Sequence, residues 1–117
     1  SPGMMYKHYS PRCRTLLFPC EGAEEAYAAY RRESEAGNRA AILCEDVLAK
    51  RLSARGVRAL DLGKTAGEMA NLYELLREAE KTADVLIAVE PTEKGGVMAG
   101  VMNRLKKACA SADIPHG

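Results

Sequence analysis

The sequence predicts an α/β domain with three layers, in which a small, mainly parallel four-stranded sheet lies between helices. From Arg14 onward, short apolar runs alternate with longer segments of helical periodicity, which is typical of parallel strands joined by helical crossovers. The run VLIAV, Val85–Val89, is apolar without alternation, as expected of a strand covered on both faces. A length of 117 residues suits one globular domain.

The first strand and helix follow from local signals. RTLLF, Arg14–Phe18, predicts a strand that Pro19 ends. After Gly22, apolar residues recur at i, i+3, i+4 and i+7 and predict one helix face, while Gly37 predicts the end of that helix. The residues on this face are Ala23, Ala26, Tyr27 and Tyr30.

The next three elements are shorter. AAILC, Ala40–Cys44, predicts the second strand, and VRALDL, Val57–Leu62, predicts the third. Between them, Glu45–Ala54 predicts a helix that Gly56 ends. We expect its inward-facing residues to be Val47, Leu48 and Leu52.

Two further helices flank the fourth strand. The capping-box pattern Thr65-Ala66-Gly67-Glu68 predicts the start of a long helix over about Ala66–Thr82. Its apolar stripe is Met69, Leu72, Tyr73, Leu76, Ala79 and Ala83. A last amphipathic helix is predicted from Met98, Val101, Met102, Leu105 and Cys109.

Right-handed crossovers restrict how these strands are arranged. We expect the order 3-2-1-4 of a Rossmann-like half, because the long third helix can carry the chain across the first strand; 2-1-3-4 is the alternative. Ligands of such sheets bind at the carboxyl ends of the strands. These are predicted at 19–22, 44–46, 62–65 and 90–96.

Charge and composition exclude several classes of protein. Residues 1–14 carry three basic residues, Lys7, Arg12 and Arg14, and no acidic one, whereas the remaining body has 14 basic and 16 acidic residues. The body has no arginine cluster that would bind nucleic-acid phosphates, so we expect no nucleic-acid partner. No apolar run is long enough to span a membrane, and no signal peptide is evident. We therefore expect a soluble, cytoplasmic protein with no membrane partner.

The cysteines do not indicate a metal centre. Cys13, Cys20, Cys44 and Cys109 include no C-x-x-C pair, and only His8 and His116 could supply imidazole. We expect no metal and no disulfide, with Cys44 and Cys109 in the core.

Two glycine-containing turns resemble anion sites. Gly63-Lys64-Thr65 lacks the first glycine of a phosphate-binding loop, because position 58 is Arg58, so a tight turn into a helix is expected. Gly95-Gly96 could expose helix amides to an anion. Close packing through the small-residue face Gly96, Ala99, Gly100 and Asn103 is the preferred interpretation.

Asn103 and Arg104 form a polar pair on the last helix and are candidates, with Gly95 and Gly96, for a domain interface or an anion site. Arg104 could alternatively be solvated or pair with Glu90 or Glu93. No Ser-His-Asp, Cys-His or paired-carboxylate arrangement can be assembled from the sequence. We therefore predict no catalytic residue.

The N-terminal arm SPGMMYKHYSP, Ser1–Pro11, is very similar to the S-P-G-M-[KR]-Y-[KR]-H-Y-[AS]-P linker of two-domain threonylcarbamoyl-AMP synthases. GGVMAGVMNRLKKA, Gly95–Ala108, resembles the last helix of that family, and the resemblance spans the whole chain. It implies an interdomain linker or lid at 1–13 and a Rossmann-like C-terminal domain at 14–117. The YrdC-like catalytic domain of the family is absent from this sequence.

The resemblance also implies a function. The full-length enzyme joins L-threonine, bicarbonate and ATP, with magnesium, into threonylcarbamoyl-AMP for the threonylcarbamoyladenosine modification of tRNA. The C-terminal domain alone is expected to need no cofactor and to catalyse nothing. A nucleotide-binding module and a protein-interaction domain remain the alternatives.

The linker would close over the catalytic cleft of the covalently linked domain. The residues expected to contact substrates there are Ser1, Pro2, Gly3, Met4, Tyr6, Lys7, His8 and Tyr9. Met5 departs from the basic residue usual in the family, which removes one positive charge from the lid.

Overall fold

The computed structural model describes residues 13–63 and 72–92, together with residues 103 and 106. Four strands alternate with three helices in this part of the chain. In chain order they are β1 (Arg14–Phe18), α1 (Ala23–Glu35), β2 (Ala40–Cys44), α2 (Asp46–Ala54), β3 (Ala59–Asp61), α3 (Leu72–Ala79) and β4 (Val85–Val89).

The four strands form one parallel sheet in the order β1-β4-β2-β3. The predicted α/β class is confirmed, but the predicted order 3-2-1-4 is wrong, as is 2-1-3-4, because β4 lies between β1 and β2. All ten residues of β2 and β4 are apolar and buried, which suits the centre of a sheet. β1 begins with the exposed Arg14 and β3 ends with the exposed Asp61, which suits the edges.

Helices cover both faces of this sheet. α1 and α2 pack on one face together with alternate residues of the central strands, including Ile42 and Ile87. α3 packs on the other face, against Leu43 and Leu86 among others. The crossovers through α1 and α2 therefore move in one direction across the sheet, and the crossover through α3 returns over the opposite face, which gives all three the same hand.

The hydrophobic core is divided by the sheet into two clusters. The α1/α2-face cluster is made of the buried residues Ala26, Ala29, Ala40, Ile42, Cys44, Ala49, Leu52, Val57, Val85, Ile87 and Val89. The α3-face cluster is made of Ala41, Leu43, Leu62, Leu76, Ala79, Ala83, Leu86 and Ala88. The predicted core position of Cys44 is confirmed.

The helix ends agree with the glycine signals. Gly37 and Gly56 follow α1 and α2 with φ values of 92° and 83°, a region that favours glycine. In α2, however, Val47 is 62% exposed and does not point inward as predicted. The predicted inward position of Leu52 is confirmed, and Leu48 is partly buried against the α1/α2-face cluster. Asp46 and Ala49 are the other buried residues, because the buried face of α2 is set by its contact with β2 and β3.

Two elements are shorter than predicted in the described part of the chain. β3 is a three-residue edge strand, and α3 ends at Ala79, followed by a turn, rather than at Thr82. The predicted capping box at 65–68, Met69 and most of the last helix lie outside the described residues. Asn103 and Lys106 are helical and exposed. Within the described residues, no helix has the length and apolar character needed to cross a membrane.

Candidate functional site

The linker residues predicted to contact substrates, Ser1, Pro2, Gly3, Met4, Tyr6, Lys7, His8 and Tyr9, all lie outside the described residues, as do Gly95, Gly96 and Arg104. Asn103 is helical and exposed. The described structure therefore tests the surfaces of the globular part, at the two ends of its sheet.

At the carboxyl end of the sheet, a side-chain contact joins the loops after β2 and β4. Glu45 precedes α2, and its carboxylate accepts hydrogen bonds from Thr92. The Thr92 backbone N–H lies 3.3 Å from Oε2, and the Thr92 Oγ1 hydroxyl lies 3.2 Å from Oε1. These bonds fix the start of the segment that follows β4.

The turn after β3 does not offer a phosphate-binding loop. Gly63 has a φ of 92°, and its backbone N–H donates a hydrogen bond of 2.6 Å to Oδ1 of Asp61. This amide is therefore already used by a carboxylate of its own chain. The geometry supports the expected tight turn at Gly63, while Lys64 and Thr65 lie outside the described residues.

The charge at the carboxyl end is negative throughout the described loops. Every charged residue at 19–22, 44–46, 61–63 and 90–92 is acidic: Glu21, Glu45, Asp46, Asp61 and Glu90. Burial, followed by the charges of Asp61 and Glu45, raises the pKa of the Cys44 thiol to about 12. The described loops at this end of the sheet are thus electrostatically unfavourable for a nucleotide phosphate, and Cys44 supplies no thiolate nucleophile there.

The amino end of the sheet carries arginines as well as carboxylates. Arg14 opens β1, and Arg39 and Arg58 come directly before or near the starts of β2 and β3. Arg39 lies against Asp84, which precedes β4: Nη2 is 3.0 Å from Oδ1, and the Arg39 backbone N–H is 2.7 Å from Oδ2. The Arg39 side chain, and then its backbone N–H, lower the pKa of Asp84.

Arg58 lies at a groove between β3 and α3. Its Nη2 is 2.7 Å from Oγ1 of Thr82, and its Nη1 is 3.4 Å from the Thr82 carbonyl oxygen. The groove has a volume of about 240 Å³ and is lined by Arg58, Leu60, Leu75, Glu78, Ala79, Lys81 and Thr82. We refer to it as the β3–α3 groove.

The sequence by itself does not indicate this groove or the arginine contacts around it. Their only sequence signal is an arginine before or at the start of each of three strands, Arg14, Arg39 and Arg58. The partners are 19 to 45 residues away along the chain, so the pairs could not be assigned without the strand order.

No group of three or more histidine, cysteine, aspartate or glutamate side chains in the described residues is arranged to hold a metal ion. Cys13, Cys20 and Cys44 are free thiols.

Comparison with known proteins relates the chain to one family. Residues 1–110 match the family described as "Threonylcarbamoyl-AMP synthase, C-terminal domain". The threonylcarbamoyl-AMP synthase of Pyrococcus abyssi is 31% identical over 92% of this chain and 31% of its own length. That of Schizosaccharomyces pombe is 28% identical over 94% of this chain and 29% of its own.

Solved structures agree with this relationship. The crystal structure of P. abyssi Sua5 complexed with L-threonine matches 93% of this chain and 32% of that chain, with a TM-score of 0.68 and 26% identity. The C-terminal Sua5 domain from Pyrococcus horikoshii matches 81% of this chain and 91% of that one, with a TM-score of 0.60; at 22% identity it supports the fold. The chain spans about a third of the length of its curated relatives. It belongs to the family of threonylcarbamoyl-AMP synthase C-terminal domains.

Proposed function

We propose that this chain is the linker and accessory C-terminal domain of an L-threonylcarbamoyladenylate synthase, and that it performs no reaction in isolation. The observation that carries the proposal is the family match over residues 1–110, combined with coverage of only 31% of the P. abyssi enzyme. The catalytic groups would then belong to the part of the full-length protein that precedes this domain.

The full-length protein would join L-threonine, bicarbonate and ATP, with magnesium, and release pyrophosphate. L-threonine is the ligand of the related P. abyssi structure, which supports this choice of substrate. The product would serve the threonylcarbamoyladenosine modification of tRNA.

The linker would act as a lid on the linked catalytic domain. Eleven extended residues can reach about 35 Å, enough to cross a nucleotide-binding cleft. Lys7 and His8 could donate hydrogen bonds to phosphate oxygens, and Tyr6 and Tyr9 could pack on the nucleotide or the cleft wall. Such closure would exclude water from a reactive carbamoyl intermediate.

The described globular part suits an anchor better than an independent nucleotide-binding module. At its carboxyl end, where ligands of parallel sheets usually bind, every charged residue in the described loops is acidic. The amide of Gly63 and the amide and hydroxyl of Thr92 already donate to carboxylates within the chain. These contacts stabilise the loops and leave those donors unavailable to a phosphate.

The test uses the full-length protein with residues 1–11 deleted. We expect pyrophosphate release from ATP, L-threonine and bicarbonate to fall at least about tenfold, a loss of about 1.4 kcal/mol in transition-state stabilisation. A matched control replaces the same eleven residues with a glycine-serine linker of equal length, and this variant should remain equally impaired because the lid acts through its side chains. Full activity of the deletion variant would contradict the lid. Pyrophosphate release by the 117-residue chain alone would contradict the accessory role.

A further inference from the structure

The β3–α3 groove combines an apolar floor with a charged rim. Leu60, Leu75 and Ala79 form the floor, and Arg58, Glu78, Lys81 and Thr82 form the polar rim. Nζ of Lys81 lies 3.0 Å from Oε2 of Glu78, so these two charges offset each other and Arg58 is the rim charge left for a ligand. Leu60 and Leu75 are partly buried at the margin of the α3-face cluster, so the floor is continuous with the core. An occupant of this groove would cover apolar surface that the described residues leave partly exposed.

Arg58 is held in place without an acidic partner. Its guanidinium donates to the neutral Thr82 hydroxyl and carbonyl, and its backbone N–H lies 3.1 Å from the Tyr30 hydroxyl. In the same part of the chain, Arg14, Arg39 and Arg55 each lie within 3.0 Å of a carboxylate, whereas no described carboxylate pairs with Arg58. A fixed guanidinium beside an apolar floor suits a carboxylate that adjoins an aliphatic side chain.

The backbone of β3 adds a second recognition element. Arg58 C=O accepts from the Ile42 N–H, and Leu62 N–H donates to the Cys44 C=O, so these alternate residues face β2. The backbone groups of Ala59 and Asp61 consequently face away from β2. No described strand lies on that side of β3, which leaves an edge to which an extended segment could add.

The position of the groove relative to the linker indicates its occupant. Arg58 and Thr82 precede β3 and β4, so the rim is at the amino end of the sheet, where the chain enters β1. Cys13, just before β1, packs against the same α3-face cluster as Leu60 and Leu75. With strands about 4.8 Å apart, β1 and β3 are separated by about 14 Å across four strands, a short distance for a preceding domain to span.

We propose that the β3–α3 groove docks an extended segment of the catalytic domain, which places a carboxylate on Arg58 and an aliphatic side chain on Leu60 and Leu75. This inference rests on the proposed function, since about two thirds of the length of the relatives lies outside the matched domain. The docked segment adds main-chain hydrogen bonds along Ala59 and Asp61. The docked segment thereby holds the C-terminal domain, to which the linker is attached, at a fixed position relative to the cleft of the catalytic domain.

Hydrogen exchange followed by mass spectrometry on the full-length protein tests this docking. In Arg58→Glu, we expect exchange to rise at least about tenfold in peptides covering 57–63 and 72–82, and also in one segment of the catalytic domain that contains Asp or Glu beside an aliphatic residue. The matched control is Arg51→Glu, an exposed arginine on α2 at the opposite face of the sheet, which should leave all these segments unchanged. Arg58→Gln should raise hydrogen exchange in the same segments as Arg58→Glu, by a smaller factor.

The response of the catalytic domain separates docking from a local loss of stability. Faster exchange confined to residues 57–63 and 72–82, or an Arg58→Glu profile equal to that of Arg51→Glu, would overturn the proposal. Restored protection when the acidic residue of the responding segment is changed to Arg in the Arg58→Glu background would support it. Neither result depends on pyrophosphate release, so a failure of docking is distinguishable from a failure of the lid.

Discussion

Nη2 of Arg14 and Oε2 of Glu33 lie 2.6 Å apart and join the first residue of β1 to the last turn of α1. The Glu33 side chain is only 11% exposed and also accepts a hydrogen bond of 2.8 Å from Nδ2 of Asn38. The backbone N–H of Asn38 returns to the Glu33 carbonyl at 2.9 Å, closing the helix end around Gly37. One carboxylate thus connects the end of α1, the residue that follows Gly37 and the first residue of β1.

Replacing this carboxylate with an amide should destabilise the domain. Glu33→Gln keeps the shape of the side chain but removes the charge that both donors contact, so we expect a loss of about 1 to 2 kcal/mol in the free energy of unfolding at pH 7. Urea unfolding measures the change. Glu35→Gln is the matched control on the same helix: its pair with Arg31 has both side chains more than half exposed, and the expected loss is below about 0.5 kcal/mol. Equal losses of stability in Glu33→Gln and Glu35→Gln would contradict the stabilising role of the Glu33 carboxylate.

The contacts of Glu33 with Arg14 and Asn38 also predict that stability depends on pH. The Asn38 amide, and then the Arg14 guanidinium, lower the pKa of Glu33 in the folded protein. Because the unfolded value is about 4.3, the stabilisation is complete above that pH and disappears as pH falls through the lower folded value. The difference in unfolding free energy between the wild type and Glu33→Gln should therefore be constant near neutrality and narrow below about pH 4. Urea unfolding of both proteins between about pH 7 and pH 2.5 measures this free-energy difference. A difference that widens on acidification would contradict the lowered pKa of Glu33.

Helix α2 offers a test of which face is buried. Leu52 is 2% exposed in the α1/α2-face cluster, so Leu52→Ala should cost about 2 to 5 kcal/mol of unfolding free energy. Val47 is 62% exposed in the same helix, and Val47→Ala should change stability by less than about 0.5 kcal/mol. Thermal or urea unfolding of the two variants distinguishes them. A large loss for Val47→Ala would restore the inward orientation that the sequence predicts.

The described cysteines should differ in reactivity. Burial and two nearby carboxylates raise the pKa of Cys44 to about 12, so almost none of it is thiolate at neutral pH. We expect iodoacetamide to modify Cys20, which is partly exposed, and to leave Cys44 unmodified until denaturant is added. Peptide mass spectrometry assigns the sites. Modification of Cys44 at a rate similar to that of Cys20 in native protein would contradict its buried position.

Most individual elements could be predicted from the sequence because they depend on neighbouring residues. Strands β1, β2 and β4 have the predicted bounds, since each is a short apolar run limited by polar residues, proline or glycine. Gly37 and Gly56 end their helices because their positive φ values are strained for other residues. The linker and last-helix motifs were likewise sufficient to identify the family that the comparisons confirm.

Only the tertiary structure decided the strand order, the buried face of α2 and the arginine contacts. Right-handed crossovers permit several orders, and the observed one places the fully apolar β2 and β4 at the centre, a choice that depends on the burial of all four strands together. Arg58 and Thr82 are 24 residues apart, and they meet because α3 returns the chain from the edge strand β3 to the start of β4. Local sequence preferences are short-ranged, whereas these contacts follow from how the whole sheet buries its apolar faces.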